Sequence, residues 1–499
     1  MPTDLPPKPS RESLVVMCRD EPEKAADLIL LLWDKVEKLT KIVEAQGKEI
    51  ALLKSKLAKN SQNSSKPPST DKSNPGGRPP ARPKAGQGEN PNKPGGQKGH
   101  KGTTLEKRAT PDHIVDLPGP ARCDCGCKLS RVKPSKFIAR QVHDLPEDIK
   151  IEVTEYRAPV CECPGCGKKT TSEFPPNVTA PAQYGGRVRS AATYLHTYHL
   201  VPYARLAEIF GDLFNCPLST GALTGFIRDA ATRASPIHES IREKVTSADF
   251  MHNDETGLNI LDKTSWLHTA STPEYAYLVV TQGRSFEDIK SVGVLEGYTG
   301  RSIHDFLPAY LKFEGPSHGL CNAHHLRELT YIEEEIGQPW AGEMSSLLLG
   351  AKEMVGEEAA AGKVPCEQVI VAVREDYQRI LATGRKINPQ PEREPGKRGR
   401  PAKGKALNLL ERFEKYEEEV LAFLIHGVPF DNNEAERDLR MMKTRQKISG
   451  CFRSLEWANR FAKIRSVIAS GKKRSVNVYE MLQMMLANTT KAEKLLFET

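Results

Sequence analysis

Asp431-Asn432-Asn433-Glu434-Ala435-Glu436-Arg437-Asp438-Leu439-Arg440 sets four carboxylates and two arginines into ten residues at the predicted start of a helix. Asn432 and Asn433 are both suited to cap such a start, because a short side-chain oxygen can accept from the first free backbone amides. Ala435, Leu439 and Met442 recur at helical spacing and define the face that meets a core, which leaves Glu434 and Glu436 on its two flanks. Helical spacing therefore does not choose between these two acids. An acidic helix start means little alone, and its reading depends on two upstream segments, His252-Asn253-Asp254-Glu255-Thr256-Gly257 and Ile303-His304-Asp305.

Those segments sit in a strand-rich stretch. Phe250 to Asn253, Ser265 to Thr269 and Tyr275 to Thr281 read as strands, Phe286 to Val294 as a helix, and a short strand ends at Asp305. Strands that carry acids and are followed by helices predict an α/β core. Asp254 at the end of the first strand, Asp305 at the end of the fourth and a Glu on a later helix follow the order of a ribonuclease-H-like fold. Three such acids suit two-metal phosphoryl transfer, in which divalent ions about 3.5–4 Å apart clamp the attacking and leaving oxygens. Magnesium takes one or two carboxylates per ion and keeps several waters.

Outward from this core, 499 residues are too many for one hydrophobic core, so several folded units joined by linkers are expected. The net charge of +8 favours a polyanionic partner, and its distribution is uneven. Between Asn60 and Arg108 there are 10 Lys or Arg against 3 Asp or Glu, with almost no apolar residue. Residues 60–109 therefore read as a disordered basic linker, in which Lys98 and Lys101 are candidate phosphate contacts. Before it, Ile29, Leu32, Val36, Leu39, Val43, Gln46, Ile50, Leu53 and Leu57 step alternately by three and four, which predicts a coiled coil within residues 1–59 and a homo-oligomer. A second basic interruption, residues 386–405, holds Arg398-Gly399-Arg400-Pro401, and Arg398 and Arg400 in such a context can lie in a narrow minor groove. No apolar run reaches the roughly 18 residues of a membrane span, and Met1 to Pro9 lacks the pattern of a signal peptide. A cytoplasmic protein, nucleoid-associated when bound to DNA, is expected.

Of the 11 cysteines, six fall in two groups. In a reducing compartment this pattern reads as metal binding before disulfides. Cys123-Asp124-Cys125-Gly126-Cys127 and Cys161-Glu162-Cys163-Pro164-Gly165-Cys166-Gly167 flank strand-like alternation from Phe137 to Leu145 and from Ile149 to Tyr156, the layout of a zinc ribbon over residues 110–175. Cys163 and Cys166 form the clearer half of a tetrahedral structural zinc site. Cys123 and Cys125, or Cys125 and Cys127, would complete it. Cys18, Cys216, Cys321, Cys366 and Cys451 are scattered and read as core thiols.

Residues 176–246 read as a helical region. Tyr203 to Asp229 offers either a helix-turn-helix, with Ser219 capping its second helix, or helices that build the core. Leu407 to His426, Glu434 to Lys447 and Trp457 to Ser470 carry helical patterns beyond the strand region. They suggest a catalytic core over 247–470, with a helical insertion at about 320–430 and a helical segment at 471–499.

Taken together, His252 to Gly257 with Trp266-Leu267-His268-Thr269, Cys321-Asn322-Ala323-His324-His325-Leu326-Arg327-Glu328-Leu329, and Asp431 to Arg440 with Lys447-Ile448-Ser449-Gly450-Cys451-Phe452 resemble the bacterial DDE transposases of the insertion sequence 66 family. The likeness extends over nearly the whole chain and includes the Ser-Lys-Pro-Pro-Ser linker and Gly-Gly-Gln-Lys-Gly-His segment. It implies a multidomain α+β protein with magnesium-dependent (or manganese-dependent) cleavage of double-stranded DNA at element ends, strand transfer to a target, and accessory proteins of the same element. It places the three acids on Asp254, Asp305 and Glu436, and Glu436 is preferred to Glu434 on the resemblance alone. Arg437 and Arg440 are placed to contact DNA phosphates or to pair within the helix. Cys321, His324 and His325 have metal-binding donors, but one short cluster favours a structural or DNA-contact role. The rival reading is a zinc-dependent DNA-binding regulator, or a relative whose catalysis has decayed.

Overall fold

The computed structural model describes residues 10–23, 33, 36, 105, 107–118, 120–129, 131, 133, 136–146, 149–360, 365–391, 401 and 403–498. Most of the heptad seam, the linker 60–102, and the candidate contacts Lys98, Lys101, Arg398 and Arg400 lie outside the described residues. The chain divides into two units, one of Met1–Lys72, Tyr184–Tyr203 and Gly221–Thr499, the other of Ser73–Gln183 and Ala204–Thr220. Among the described residues, no helix is long and apolar enough to cross a membrane.

The first unit contains helices α1 (Arg11–Asp20) and α2 (Gly186–Thr193), and it is organised on a five-stranded sheet of β3 (Phe250–Ile260), β4 (Lys263–Ser271), β5 (Ala276–Thr281), β6 (Arg301–His304) and β7 (Ser317–Leu320). Its order is β5-β4-β3-β6-β7, with β3, β4 and β5 antiparallel and β6 and β7 parallel to β3. Leu261 and Asp262, with φ of 44° and 65°, form the two-residue turn between β3 and β4. Two consecutive positive φ values match the right-handed twist of a hairpin. Because this hairpin continues to Ile260, Asp254 lies inside β3, not at its end as the sequence suggested. The polar run His252 to Gly257 is not a turn. Gly257 pairs with Trp266, whose ring covers it at ordinary contact distance from the site of a Cβ.

One face of the sheet packs against α4 (Thr220–Thr246), α13 (Leu455–Lys473), α14 (Val478–Ala487) and α15 (Thr489–Phe497), through Ile237, Ile241, Met251, Ala270, Tyr277, Ile464, Met481 and Leu496. The other face carries Leu258, Ile260, Leu267 and Leu278 against Leu439 and Met442 of α12 (Asn433–Ser449) and Phe461 of α13. Edge strand β5 is capped by α13: Ser470, Ser466 and Asn459 accept from the amides of Ala276, Leu278 and Val280. That pairing satisfies the free edge and fixes α13 against the sheet. A short helix α5 (Phe286–Ser291) lies between β5 and β6, and between β7 and α12 the chain forms α6 (Asn322–Ile336), α7 (Pro339–Ala360), α8 (Glu367–Ile387), α9 (Lys405–Lys415), α10 (Glu417–Val420) and α11 (Ala422–Ile425). These helices share one apolar cluster built on Leu329, Trp340, Leu348, Tyr377, Leu410 and Phe423.

In the second unit, α3 (Tyr203–Phe214) buries Leu206 and Phe210, and α4 begins at Thr220, directly after Ser219. Strands β1 (Val160–Glu162) and β2 (Lys169–Thr171) form a short hairpin. The alternation at 137–145 and 149–156 produces no strand among the described residues. Phe137 is 77% exposed and Val153 90%, so the apolar positions have no surface to pack against, and an isolated strand pair is marginal in water. Of the five scattered cysteines, Cys216 and Cys321 are buried and Cys18, Cys366 and Cys451 are exposed.

Candidate active site

Strand register brings the first two acids to one place. Phe250 of β3 faces Arg301 of β6 and His252 faces Ile303, an offset of 51; Asp254 comes two residues further along β3, and Asp305 is the residue just past the end of β6. Adjacent strands run about 4.8 Å apart, and Asp254 shares the parity of Leu258 and Ile260, which lie on the face that carries α12. Asn253 Nδ2 donates to Ser302 Oγ at 2.9 Å and ties the two strands together just before the acids. Beyond β6, Asp305 Oδ1 accepts from the Leu307 amide at 3.0 Å. Behind it the buried His304 ring meets His318 Nδ1 at 3.0 Å and stacks on Tyr310.

The third element is α12. Ala435, Leu439 and Met442 are buried, as their spacing predicts. Asn432 occupies the N-cap position, yet its side chain does not cap. It reaches to β3, where Nδ2 donates to the Asn253 carbonyl at 2.8 Å and Oδ1 meets His252 Nδ1 at 3.0 Å. Its amide also lies 3.1 Å from Cys321 Sγ. The cap-like bond comes from Asp431, whose carboxylate accepts from the Asn433 amide at 3.2 Å. The start of α12 is thereby pinned one residue from Asp254, and Glu436 follows one turn later, its amide on the Asn432 carbonyl.

The acids also act on one another through their charges. Burial raises the Asp254 carboxyl well above the ordinary carboxylate range, and the negative charges of Glu255, Asp305 and Glu436 add to it, opposed by the Glu255 amide. Glu255, whose side chain is 3% exposed, is pushed up to about 7 by burial and then by Asp305. Tyr310, donating to it at 2.9 Å, and Arg284 at 3.5 Å hold it back. Arg284 also lies over the Trp266 ring, 4.3 Å from its centroid. Nothing in the sequence singled out Glu255, Tyr310 or Arg284. The signal was the acid directly after Asp254, in a strand with both faces covered.

The four acids of the α12 start differ in their partners. Asp431 lies 3.9 Å from Lys352, Glu434 pairs with Lys473 and Arg437, and Asp438 pairs with Lys473 at 3.1 Å. Burial raises Glu434, but its bond to Lys473 outweighs this, so its carboxyl sits below the ordinary range. Glu436 has no ion-pair partner among the described residues. Arg440 is exposed and also unpaired among them, while Arg437 is exposed and holds Glu434 at 3.3 Å. Among the described residues, no three His, Cys, Asp or Glu side chains are gathered closely enough to hold an ion. Cys321 is buried, its thiol pushed up to about 12 by burial, and His325 is buried against Asn322 Oδ1 at 3.0 Å.

In the second unit both cysteine groups sit on tight turns. The bridge between Arg122 and Lys128 closes over Cys123 to Cys127, and the β1–β2 hairpin closes over Cys163 to Cys166. Backbone donors at Gly165 and Cys166, then the Cys166 side chain, lower the Cys163 thiol, and the backbone of Cys127 followed by the Cys123 side chain lower Cys125.

Residues 182–460, more than half of the chain, match a family described as Transposase IS66 family. Residues 9–106 match a second, described as a family of unknown function (DUF6444). No curated protein matches the chain.

Proposed function

The chain belongs to the insertion sequence 66 family of transposases, enzymes that cut and join DNA, and on that premise we propose that Asp254, Asp305 and Glu436 form its catalytic acid triad. The observation that carries this reading is the placing of Asp254 on the central strand, two residues past the His252–Ile303 pair, with Asp305 at the matching position just past the end of β6. The sheet order β5-β4-β3-β6-β7, three antiparallel strands followed by two parallel ones, supports a ribonuclease-H-like core. Pairing of Asp431, Glu434 and Asp438 with lysines favours Glu436 as the third acid.

The donor set fits magnesium or manganese in its chemistry: hard carboxylate oxygens, half-buried, with Glu436 lacking an ion-pair partner among the described residues. Asp254, Asp305 and Glu436 would hold two such ions, which when bound supply the positive charge that activates the attacking oxygen and stabilises the leaving one. In the first step a water oxygen attacks phosphorus at the element end and the P–O3′ bond breaks, leaving a 3′ hydroxyl. In the second, that hydroxyl attacks a target phosphodiester and a new P–O bond forms as another breaks. Asn432 and Ser302 hold the elements that carry the acids, and exposed Arg440 and Arg437 would meet the phosphates flanking the scissile bond. Cys163 and Cys166, with Cys125 and either Cys123 or Cys127, have the thiolate chemistry of a structural zinc site, and that zinc unit would engage element DNA. The N-terminal coiled coil would join protomers.

The test is magnesium-dependent nicking of DNA carrying the element ends. Asp254→Ala and Glu436→Ala are each expected to lower the rate on the order of 10³-fold, since a metal site contributes several kcal/mol to the transition state. Nicking that survives both substitutions overturns the triad. Binding without cleavage under any divalent ion turns the reading towards a DNA-binding regulator.

A further inference from the structure

Lys473 is the last residue of α13 and lies beyond the stretch that matches the transposase family. Its side chain is 9% exposed. The ammonium touches Glu434 and Asp438, at 2.5 and 3.1 Å, and donates to the Thr272 carbonyl at 2.9 Å. Ser271, at the end of β4, donates to the same Asp438 carboxylate. One buried cation therefore joins three elements: α13, the β4 end of the sheet, and the first two turns of α12. Glu434 and Asp438 lie two residues on either side of Glu436. With Asn432 pinning the helix start to β3, α12 is held at two points, and Glu436 lies between them.

We propose that Lys473 is a positioning residue for divalent-metal binding: it clamps Glu434 and Asp438 to the sheet and so sets where Glu436 stands relative to Asp254. This rests on Glu436 being the third acid. The clamp has a second consequence. With Lys473 shared between Glu434 and Asp438, and Arg437 supplying a second cation to Glu434, one carboxylate on this part of α12 is left without an ion-pair partner among the described residues, so the helix offers a single ligand in place of three competing ones. Salt bridges at the surface contribute little. A lysine this deeply buried, with two carboxylates and a carbonyl as its shell, costs several kcal/mol to desolvate and persists only with all its partners in place.

The experiment is manganese binding to the purified full chain, followed by electron paramagnetic resonance, with magnesium-dependent nicking alongside. Outer groups that orient metal ligands are worth about 10–100-fold in affinity, so Lys473→Met is expected to weaken manganese binding about tenfold or more. The nicking rate at saturating metal should fall much less than the affinity does. Lys473→Arg keeps the charge and should restore most of the loss. Unchanged affinity in a folded Lys473→Met protein overturns the proposal. If Lys473→Met does not fold, Glu434→Gln removes one arm of the clamp, and an unaltered affinity there overturns it equally. The parallel Glu436→Gln variant separates this from failure of the triad. Should Glu436→Gln bind manganese normally while Glu434→Gln does not, the assignment of the third acid is wrong and the clamp falls with it.

Discussion

Asp254 lies in the central strand of a five-stranded sheet, between two apolar clusters, with Asn253, His252 and Asn432 bonded around it. Cys163 lies on the turn of a two-stranded hairpin, and among the described residues from 105 to 183 none is buried. The same question, what holds reactive side chains in place, thus has two answers in one chain. Around the acids, hydrophobic burial and buried hydrogen bonds set the geometry and force like charges together. Around the cysteines, local bonds within each turn act, such as the Gly167 amide on the Cys163 carbonyl at 2.8 Å and the Arg122 guanidinium on the Gly126 carbonyl at 3.4 Å. A segment that buries so little apolar surface has to be ordered by a ligand or a partner.

The largest expected effect follows from that contrast. Structural zinc contributes on the order of 10 kcal/mol to small domains without much core. If the cysteine turns hold zinc as proposed, a strong chelator should raise proteolysis between residues 105 and 183 by at least about 100-fold, while the unit containing the acids stays resistant. Mass spectrometry of the fragments reads both in one experiment. Equal loss of both units would show that the acid-bearing sheet also leans on the metal, and the contrast would break.

The acid side of the comparison has its own signature, since its order is obtained against charge repulsion. Burial and then the neighbouring Asp305 charge push the folded Glu255 carboxyl up to about 7, above the ordinary 4.5. For an acid raised in this way, the stabilising contribution is full below the unfolded value and is lost as pH rises through the folded one. Without divalent ions, stability should fall between about pH 4.5 and 7, by on the order of 3 kcal/mol from this group. His196, His238 and His268 are buried and lowered to about 4, so they act the other way below their unfolded value of 6.5. The difference between the wild-type chain and Glu255→Gln isolates the carboxyl: denaturant midpoints measured across this range should converge at low pH and separate at high pH. Parallel curves would mean that Arg284 and Tyr310 already neutralise Glu255 in full.

What the sequence conveyed of the two regions also differs, for physical reasons. Period-2 and helical patterns are local, so the strands around Asp254 and the buried stripe Ala435, Leu439 and Met442 are legible without a structure. The extent of β3 is not. Its polar stretch puts Asp254 at a strand end, and the unbroken pairing from Asp254 with Thr269 to Gly257 with Trp266 keeps it in the ladder. Nor is Lys473 legible, because its contact with Glu434 spans 39 residues and depends on how α13 caps β5. Glu255 was overshadowed by its neighbour, and its burial is a property of the packed sheet. In the cysteine region the motif is plain, while alternation at 137–145 misleads, because alternation predicts a strand only where a second surface exists to cover it.

Asn432 and Asn433 provide the smallest and sharpest test. As sequence they are interchangeable caps of α12. In the structure Asn432 is 1% exposed and bonds the Asn253 carbonyl and the His252 ring, whereas Asn433 is exposed and its amide, not its side chain, meets Asp431. Asn432→Ala leaves a buried imidazole nitrogen and a buried carbonyl without their partner, which should cost about 2 kcal/mol of unfolding free energy. Asn433→Ala should stay within about 0.5 kcal/mol of the wild-type chain, as exposed substitutions do. Because Asn432 joins α12 to the strand that carries Asp254, its loss should also weaken manganese binding, and Asn433→Ala should not. Equal costs at the two positions would mean that α12 is seated by its apolar stripe alone. The acid region would then be held by burial without the buried polar bonds, and the distinction from the cysteine turns would reduce to the presence of a core.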